Sequence, residues 1–135
     1  MEEIEASDGN VVCYDYSVYG TFNVPEDGDV YYFKLVHDVG FFTCNVDTEW
    51  FGIWGCLQYP DTIVTTSDNV YLVSYTHATE NNELKLRLHT TYTVTKYQSF
   101  RIWTGTSFRK NVDFFYGRHC VKVFIGYKKT DEELG

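Results

Sequence analysis

The chain has 135 residues, of which 44% are hydrophobic and 22% are charged, and it carries a formal net charge of −8. This length and composition fit one globular domain and exclude a largely disordered chain. The acidic balance argues against nucleic-acid binding, which would need a basic stripe, and no apolar run approaches the ~20 residues of a membrane span.

The acidic residues concentrate at the two ends of the sequence. Seven of the 19 acids lie within residues 1–10 and 128–135, whereas the segment between them is nearly balanced in charge. Because charged ends without a strand pattern are typical of solvated tails, we predict an acidic tail over 1–10 and a charged tail over 128–135. Residues 11–127 then form the folded domain.

Alternation of apolar and polar residues runs through this central segment, and no stretch shows the 3.6-residue period of a helix. The predicted strands lie at 11–20, 29–38, 41–47, 51–59, 61–66, 70–78, 83–91, 99–105, 112–117 and 120–127. In the first of them, Val12, Tyr14, Tyr16 and Val18 share one face. Turn signals rich in Gly, Pro, Asp and Asn separate the strands.

Many short, evenly spaced strands without helices predict an all-β fold, a single-domain antiparallel β-sandwich of jelly-roll type with nine or ten strands. One pairing can be predicted to its register. The patterns of residues 70–78 and 83–91 place Ala78 opposite Glu83 and gather the apolar side chains of both strands on one face.

Four cysteines, Cys13, Cys44, Cys56 and Cys120, allow two disulfides in three connectivities. In an oxidising compartment, Cys13–Cys120 would join the first strand to the last, and Cys44–Cys56 would close a local hairpin. In a reducing compartment all four would be buried thiols, and the sequence leaves this choice open. The Cys44–Cys56 pair also depends on the register of the 41–59 hairpin, because only an even sum of paired residue numbers puts both cysteines on one side of the sheet.

Aromatic residues make up 19% of the chain and are the outstanding feature of its composition. Both faces of the 41–59 hairpin are apolar, and Trp50, Trp54 and Tyr59 are candidates for a binding surface. Tryptophan and tyrosine rings are flat and apolar with one polar edge, which suits sugar rings and protein partners. The alternative is that these rings belong to the core, the commoner location of large aromatic residues.

Two polar groups are further candidates for sites. Glu26, Asp27 and Asp29 supply oxygen ligands in a loop, so a Ca²⁺ site is one interpretation and an ordinary turn rich in Asp and Gly is the other. The second group is a basic stripe that alternates with leucines in the 83–91 strand. Its members are Lys85, Arg87 and His89, which could bind an anionic group or simply face solvent.

Catalytic motifs are missing from the sequence. It has no Gly-X-Ser-X-Gly, no phosphate-binding Gly-rich loop and no His-Glu-X-X-His, and its four histidines lack metal-site spacing. We therefore predict a non-catalytic binding module without a required cofactor, which recognises a glycan or a protein surface through exposed aromatics. The alternatives are a structural or assembly subunit, as in viral or surface-array sandwiches, and a small hydrolase built on paired carboxylates.

The location of the protein follows from its cysteines rather than from a targeting signal. The first ten residues contain no apolar signal-peptide region, and the chain has no Asn-X-Ser/Thr glycosylation sequon. We expect an extracellular protein if the cysteines are paired and a cytosolic one if they are not.

Overall fold

A computed structural model of the chain describes residues 2–6, 10–15, 17–44, 51–52, 62–75, 82–104, 108 and 115–128. Side chains are described for these residues except 41–44, 51–52, 75 and 115–116. Within these ranges ten strands form two antiparallel sheets, which confirms the predicted all-β fold class. No helix in this part of the chain is long and apolar enough to cross a membrane.

The strands are β1 (Glu2–Glu5), β2 (Val12–Asp15), β3 (Gly20–Asn23), β4 (Gly28–Cys44), β5 (Phe51–Gly52), β6 (Thr62–Thr66), β7 (Tyr71–Tyr75), β8 (Glu83–Val94), β9 (Ser99–Thr104) and β10 (Phe115–Tyr127). The larger sheet is built on the long antiparallel pair β4–β10. Strands β1 and β2 pair with successive parts of β10, and β8 and β5 pair with successive parts of β4. The four-stranded sheet has the order β3-β9-β6-β7.

Three phenylalanine rings join the two sheets at the centre of the core. Phe22 of β3 and Phe100 of β9 come from the smaller sheet, and Phe33 of β4 comes from the larger one. Their ring centroids lie 5.6 to 5.8 Å apart, and none is more than 1% exposed. Burying each ring stabilises the folded state by about 1.5–3 kcal/mol, so the alternation that points these rings inward decides how the sheets face each other.

The predicted hairpin between residues 70–78 and 83–91 is wrong. Strand β7 pairs with β6 in the smaller sheet, whereas β8 pairs with β4 in the larger sheet. The alternation in β8 is nevertheless as predicted: Leu84, Leu86 and Leu88 are buried, and Lys85, Arg87 and His89 are exposed. Alternation shows which face of a strand is buried but not which strand lies beside it, and the two inner faces of a sandwich are equally apolar.

The predicted acidic tail over residues 1–10 is also wrong in part. Residues Glu2–Glu5 form β1 and pair with the end of β10, with Ile4 opposite Ile125. The partner strand lies at the far end of the sequence, so no local pattern indicates this pairing. At the other end, Lys128 donates its backbone amide to the Asp29 carbonyl at 2.8 Å, and the rest of the predicted 128–135 tail lies outside the described residues.

The predicted first strand, residues 11–20, is divided between the two sheets. Strand β2 ends at Asp15, whose carboxylate accepts hydrogen bonds from the backbone amides of Ser17 and Val18 at 2.8 and 2.7 Å. An aspartate side chain that accepts hydrogen bonds from amides two and three residues later stabilises a turn. The chain therefore leaves the larger sheet at this turn and enters the smaller sheet as β3. Val18, expected on the apolar face, is 55% exposed.

The Cys13–Cys120 disulfide, which the sequence left as one of two alternatives, is present. The two residues lie directly opposite each other in the register of β2 and β10, on strands separated by 107 positions in the sequence. Strand β2 is only four residues long, so this covalent bond holds a short edge strand against the central strand of the larger sheet.

The second predicted disulfide, Cys44–Cys56, involves Cys56, which lies outside the described residues, and it stays a prediction. Part of the strand register on which this disulfide depends lies within the described residues. Residue 42 pairs with 52 and residue 43 with 51, which is the even register of the 41–59 hairpin.

Replacing both bonded cysteines, Cys13→Ala together with Cys120→Ala, should lower the free energy of unfolding by about 4 kcal/mol, because the bond closes a very long loop in the unfolded chain. Guanidinium unfolding followed by tryptophan fluorescence measures this difference. Reduced wild-type protein serves as the control and should unfold near the midpoint of the variant. Equal stability of the oxidised and reduced proteins would contradict the prediction.

Candidate functional site

The outer face of the four-stranded sheet carries a cluster of aromatic side chains. Strand β9 alternates strictly: Phe100 and Ile102 are buried in the core, and Arg101 and Trp103 lie half-buried on the opposite face. The Trp103 ring lies 4.7 Å from the Tyr19 ring and 5.5 Å from the Phe108 ring. Three aromatic rings from different parts of the chain thus meet on one side of the sheet.

Hydrogen bonds to the neighbouring strand fix the orientation of the indole. Trp103 donates its Nε1 proton to Oγ1 of Thr65 in β6 at 2.9 Å, and the Thr65 hydroxyl donates to the Thr66 carbonyl. Thr65 and Ile63 belong to the outward-facing set of β6, yet both are fully buried. Side chains on the outer face therefore cover the middle of this sheet.

Arg101 and Tyr71 extend this cluster along the sheet. The Arg101 guanidinium lies 4.1 Å from the centre of the Tyr19 ring, and its Nη1 donates to Asn69 Oδ1 at 2.7 Å. Thr65 lies opposite both Arg101 and Tyr71 in the register, so the two side chains share one face. Tyr71 is 52% exposed, and its hydroxyl hydrogen-bonds the Ser74 hydroxyl at 2.7 Å.

We call this set the Trp103 patch: Tyr19, Tyr71, Arg101, Trp103 and Phe108. It combines flat apolar rings, which are partly open to solvent, with a fixed cation and the polar edges of Asn69 and Ser74. Sequence reasoning did not single it out. The signal was present in the alternation of "SFRIWT", where an arginine and a tryptophan alternate with Phe100 and Ile102, but a half-buried tryptophan cannot be told from a core residue by pattern alone.

The structure does not test the predicted aromatic surface, since Trp50, Trp54 and Tyr59 lie outside the described residues. Their role as a binding surface stays a prediction. The Trp103 patch consists of other residues, which lie on β7 and β9 and in the segments that precede β3 and follow β9.

The predicted basic stripe lies on the outer face of the larger sheet. Lys85 sits 4.5 Å from the centre of the Tyr32 ring, Arg87 lies opposite Tyr32 in the register, and His89 falls where the pairing of β4 and β8 is interrupted by a bulge. Lys85 therefore packs on an aromatic ring. Binding of a ligand by this stripe stays a prediction.

A hydrogen-bonded group next to this stripe holds β1 in place. Tyr32 and Lys34 both donate to the Glu3 carboxylate, the latter at 2.8 Å. Burial, together with the hydrogen bond to Glu3, raises the pKa of Tyr32 to about 12. Burial opposes ionisation of Glu3, but the hydrogen bonds from Lys34 and Tyr32 outweigh it and lower the pKa of Glu3. The acidic sequence of β1 thus contributes a structural carboxylate.

The proposed Ca²⁺ ligands are engaged in turn contacts. Asp27 Oδ1 accepts the Lys96 amide and Asp29 Oδ1 accepts the Thr93 hydroxyl, each at 2.6 Å. The Glu26 carbonyl accepts the Tyr127 hydroxyl at 2.9 Å. Among the described residues, no three His, Cys, Asp or Glu side chains are grouped as a metal site requires. Ca²⁺ binding by Glu26, Asp27 and Asp29 stays a prediction.

Two of the four histidines meet inside the sandwich, although their spacing in the sequence gives no hint of it. His119 Nε2 lies 2.8 Å from His37 Nδ1, and His119 Nδ1 lies 3.0 Å from the Tyr14 hydroxyl. The Thr62 side chain of the smaller sheet also hydrogen-bonds Tyr14. We call these four residues the buried polar row.

Protonation of His119, in the middle of this row, is strongly disfavoured. His119 is fully buried, and burial together with the neighbouring His37 lowers its pKa to about 3. Burial also raises the pKa of Tyr14. A neutral imidazole has one donor and one acceptor nitrogen. The ring of His119 can therefore donate a hydrogen bond to one of its two partners and accept one from the other. Both His119 and Tyr14 are buried, and their hydrogen bonds link strands β2 and β10 of the larger sheet.

The low pKa of His119 makes stability depend on pH. Between pH 6.5 and pH 3 the unfolded chain binds a proton that folded His119 does not, so stability falls as pH falls through this window. We expect His119→Gln to reduce the loss of unfolding free energy between pH 7 and pH 5 by about 2 kcal/mol relative to wild type. Urea unfolding at the two pH values measures it.

The control for this measurement is His89→Gln, which removes an exposed histidine and should keep the wild-type pH dependence. An unchanged pH dependence in His119→Gln, with the variant folded at pH 7, would show that His119 is not the group responsible.

Comparison with known proteins gives a likeness in fold. No protein-family model and no curated protein matches the chain. Among solved structures, AJLec from the sea anemone Anthopleura japonica superposes with a TM-score of 0.80, covering 94% of this chain and 98% of that chain at 18% sequence identity. At this identity the likeness shows a shared all-β fold, and the site has to be argued from this chain's own residues.

Proposed function

We propose that this protein is a non-catalytic binding module that recognises a glycan through the Trp103 patch. The observation that carries the proposal is the pair of rings, Trp103 and Tyr71, presented with an arginine on the outer face of a sheet. Aromatic rings offer flat apolar surface to the C–H faces of a sugar, and the adjacent polar groups can bind its hydroxyls.

The polar groups of the patch are arranged before any ligand arrives. Trp103 is held by Thr65, Tyr71 by Ser74 and Arg101 by Asn69, each through a hydrogen bond. A surface whose side chains already occupy one rotamer loses less conformational entropy on binding. This fixed arrangement supports a recognition site over a surface that is merely apolar.

The fold supports the same proposal without assigning its site. AJLec, the solved structure that this chain resembles, is a sea anemone lectin. Sheets of one fold carry different sites in different proteins, so the likeness supports the class of ligand, and the Trp103 patch is proposed from this chain's residues alone.

Two further observations fit a binding protein outside the cytosol. The two histidines that the fold brings into contact, His37 and His119, belong to a hydrogen-bonded row that includes the buried Tyr14 and lies apart from the Trp103 patch. The Cys13–Cys120 disulfide is typical of an oxidising compartment, which supports an extracellular location.

Replacing the central ring, Trp103→Ala, should weaken binding to an immobilised oligosaccharide array by at least about tenfold, or about 1.4 kcal/mol, because the stacking surface is lost. Tyr71→Ala removes an exposed ring of the same patch and should also weaken binding, with little effect on the melting temperature. Fluorescence-detected array binding and a thermal melt of each variant make the two comparisons.

The matched control is Tyr97→Ala, which removes a ring that is 68% exposed in the turn between β8 and β9. It should bind as wild type does. If wild-type protein binds no oligosaccharide, or if Tyr71→Ala and Trp103→Ala are folded and bind normally, glycan recognition by this patch is wrong.

A further inference from the structure

The four-stranded sheet is almost free of charge. Its strands, Gly20–Asn23, Thr62–Thr66, Tyr71–Tyr75 and Ser99–Thr104, contain one charged residue between them, Arg101. The outer face of the larger sheet is different, because there a lysine and a glutamate form an ion pair. A single cation in the middle of a neutral, aromatic face needs an explanation beyond solubility.

Arg101 is held in a fixed position by neutral groups. Its guanidinium stacks 4.1 Å from the centre of the Tyr19 ring and donates one hydrogen bond to Asn69. Asn69 occupies a left-handed position with φ of 65° in the turn after β6, a conformation that asparagine tolerates better than most residues. From this turn the Asn69 side-chain amide oxygen, Oδ1, accepts the hydrogen bond from Arg101.

Within the described part of the chain, no carboxylate neutralises this arginine. Among the residues that the structure describes, none places a carboxylate oxygen within 4.0 Å of Arg101, and the exposed Asp68 beside Asn69 does not do so either. A guanidinium has five N–H donors, and the hydrogen bond to Asn69 accounts for one of them. Arg101 is thus half-buried, charged and oriented, with N–H donors that no other described residue accepts and that a ligand carboxylate or sulfate can occupy.

We infer that the Trp103 patch takes an acidic saccharide, whose carboxylate or sulfate binds Arg101 while its ring stacks on the adjacent aromatic side chains. This inference rests on the proposed function and specifies its ligand. Carboxylates and sulfates both present two negatively charged oxygens to the arginine fork, whereas the hydroxyl oxygens of a neutral sugar are uncharged and accept weaker hydrogen bonds.

Because the protein carries a net negative charge, binding of an anionic ligand would depend on direct contacts with Arg101 rather than on long-range attraction. A net charge of −8 repels an anionic ligand at a distance, so a diffuse positive field does not draw it to the surface. Affinity for an acidic sugar would come from the paired hydrogen bonds of Arg101 itself. A lysine at this position keeps the charge but loses the fork, and it should restore only part of the binding.

The test uses one disaccharide scaffold in three forms: neutral N-acetyllactosamine, the same disaccharide extended by a terminal sialic acid, and the same disaccharide with a 3-O-sulfate. Calorimetry or array titration of the wild-type chain should show one or both acidic forms bound at least about tenfold more tightly than the neutral form. The two acidic arms distinguish a carboxylate receptor from a sulfate receptor. Arg101→Gln should abolish the preference, and Arg101→Lys should retain part of it.

Lys96→Gln is the matched control, since it removes a positive charge from the exposed turn between β8 and β9 and should leave the preference unchanged. Melting temperatures show whether each Arg101 variant is folded. Equal binding of neutral and acidic sugars, or an unchanged preference in folded Arg101→Gln, overturns the inference and leaves the proposed function standing. Absence of binding to all three sugars and to the wider oligosaccharide array overturns both.

Discussion

The contact of Phe22, Phe33 and Phe100 is the constraint on which the rest of this structure depends. These rings come from both sheets, and their packing requires that β3, β4 and β9 present alternate residues to a common interior. Once Phe100 is fixed inward, period-two alternation fixes Arg101 and Trp103 outward. The surface proposed as a binding site is therefore set by the same residues that hold the sheets together.

The two outer faces of the sandwich use charge in opposite ways. On the larger sheet, charged and aromatic side chains engage one another, as Glu3 does with Lys34 and Tyr32 and as Lys85 does with the Tyr32 ring. On the smaller sheet, Arg101 packs with neutral groups only, among the residues described. On the larger face Lys34 is thus paired with Glu3 and Lys85 packs on a ring, whereas on the smaller face the described residues offer Arg101 one hydrogen-bond acceptor, Asn69.

Local pattern predicted what each strand buries but not what each strand adjoins. The alternation of Leu84, Leu86 and Leu88 with charged residues was sufficient to predict which face of β8 is buried and which is exposed. The same alternation led to the wrong partner strand for β8. Strand β7 belongs to the other sheet, and the inner faces of both sheets accept apolar side chains. Strand β1 escaped prediction for a related reason: Glu2–Glu5 has one apolar residue, and its stabilising partners are supplied by β10 and by Tyr32 and Lys34 of β4. The candidate site could be predicted only in part from the sequence. The stretch "SFRIWT" contains its alternation, but the contacts with Tyr19 and Asn69 come from distant turns.

The disulfide between Cys13 and Cys120 also changes how the domain would carry a mechanical load. A force applied to the two ends of the chain reaches the bonded cysteines after only short segments, and it then crosses directly from β2 to β10 through the sulfur atoms. The strands between them, including every strand of the smaller sheet, lie inside the covalent loop and outside the path of tension. A pull on the ends therefore loads β1 and the last part of β10 first, while the covalent loop keeps the strand that carries Arg101 and Trp103 out of the path of tension.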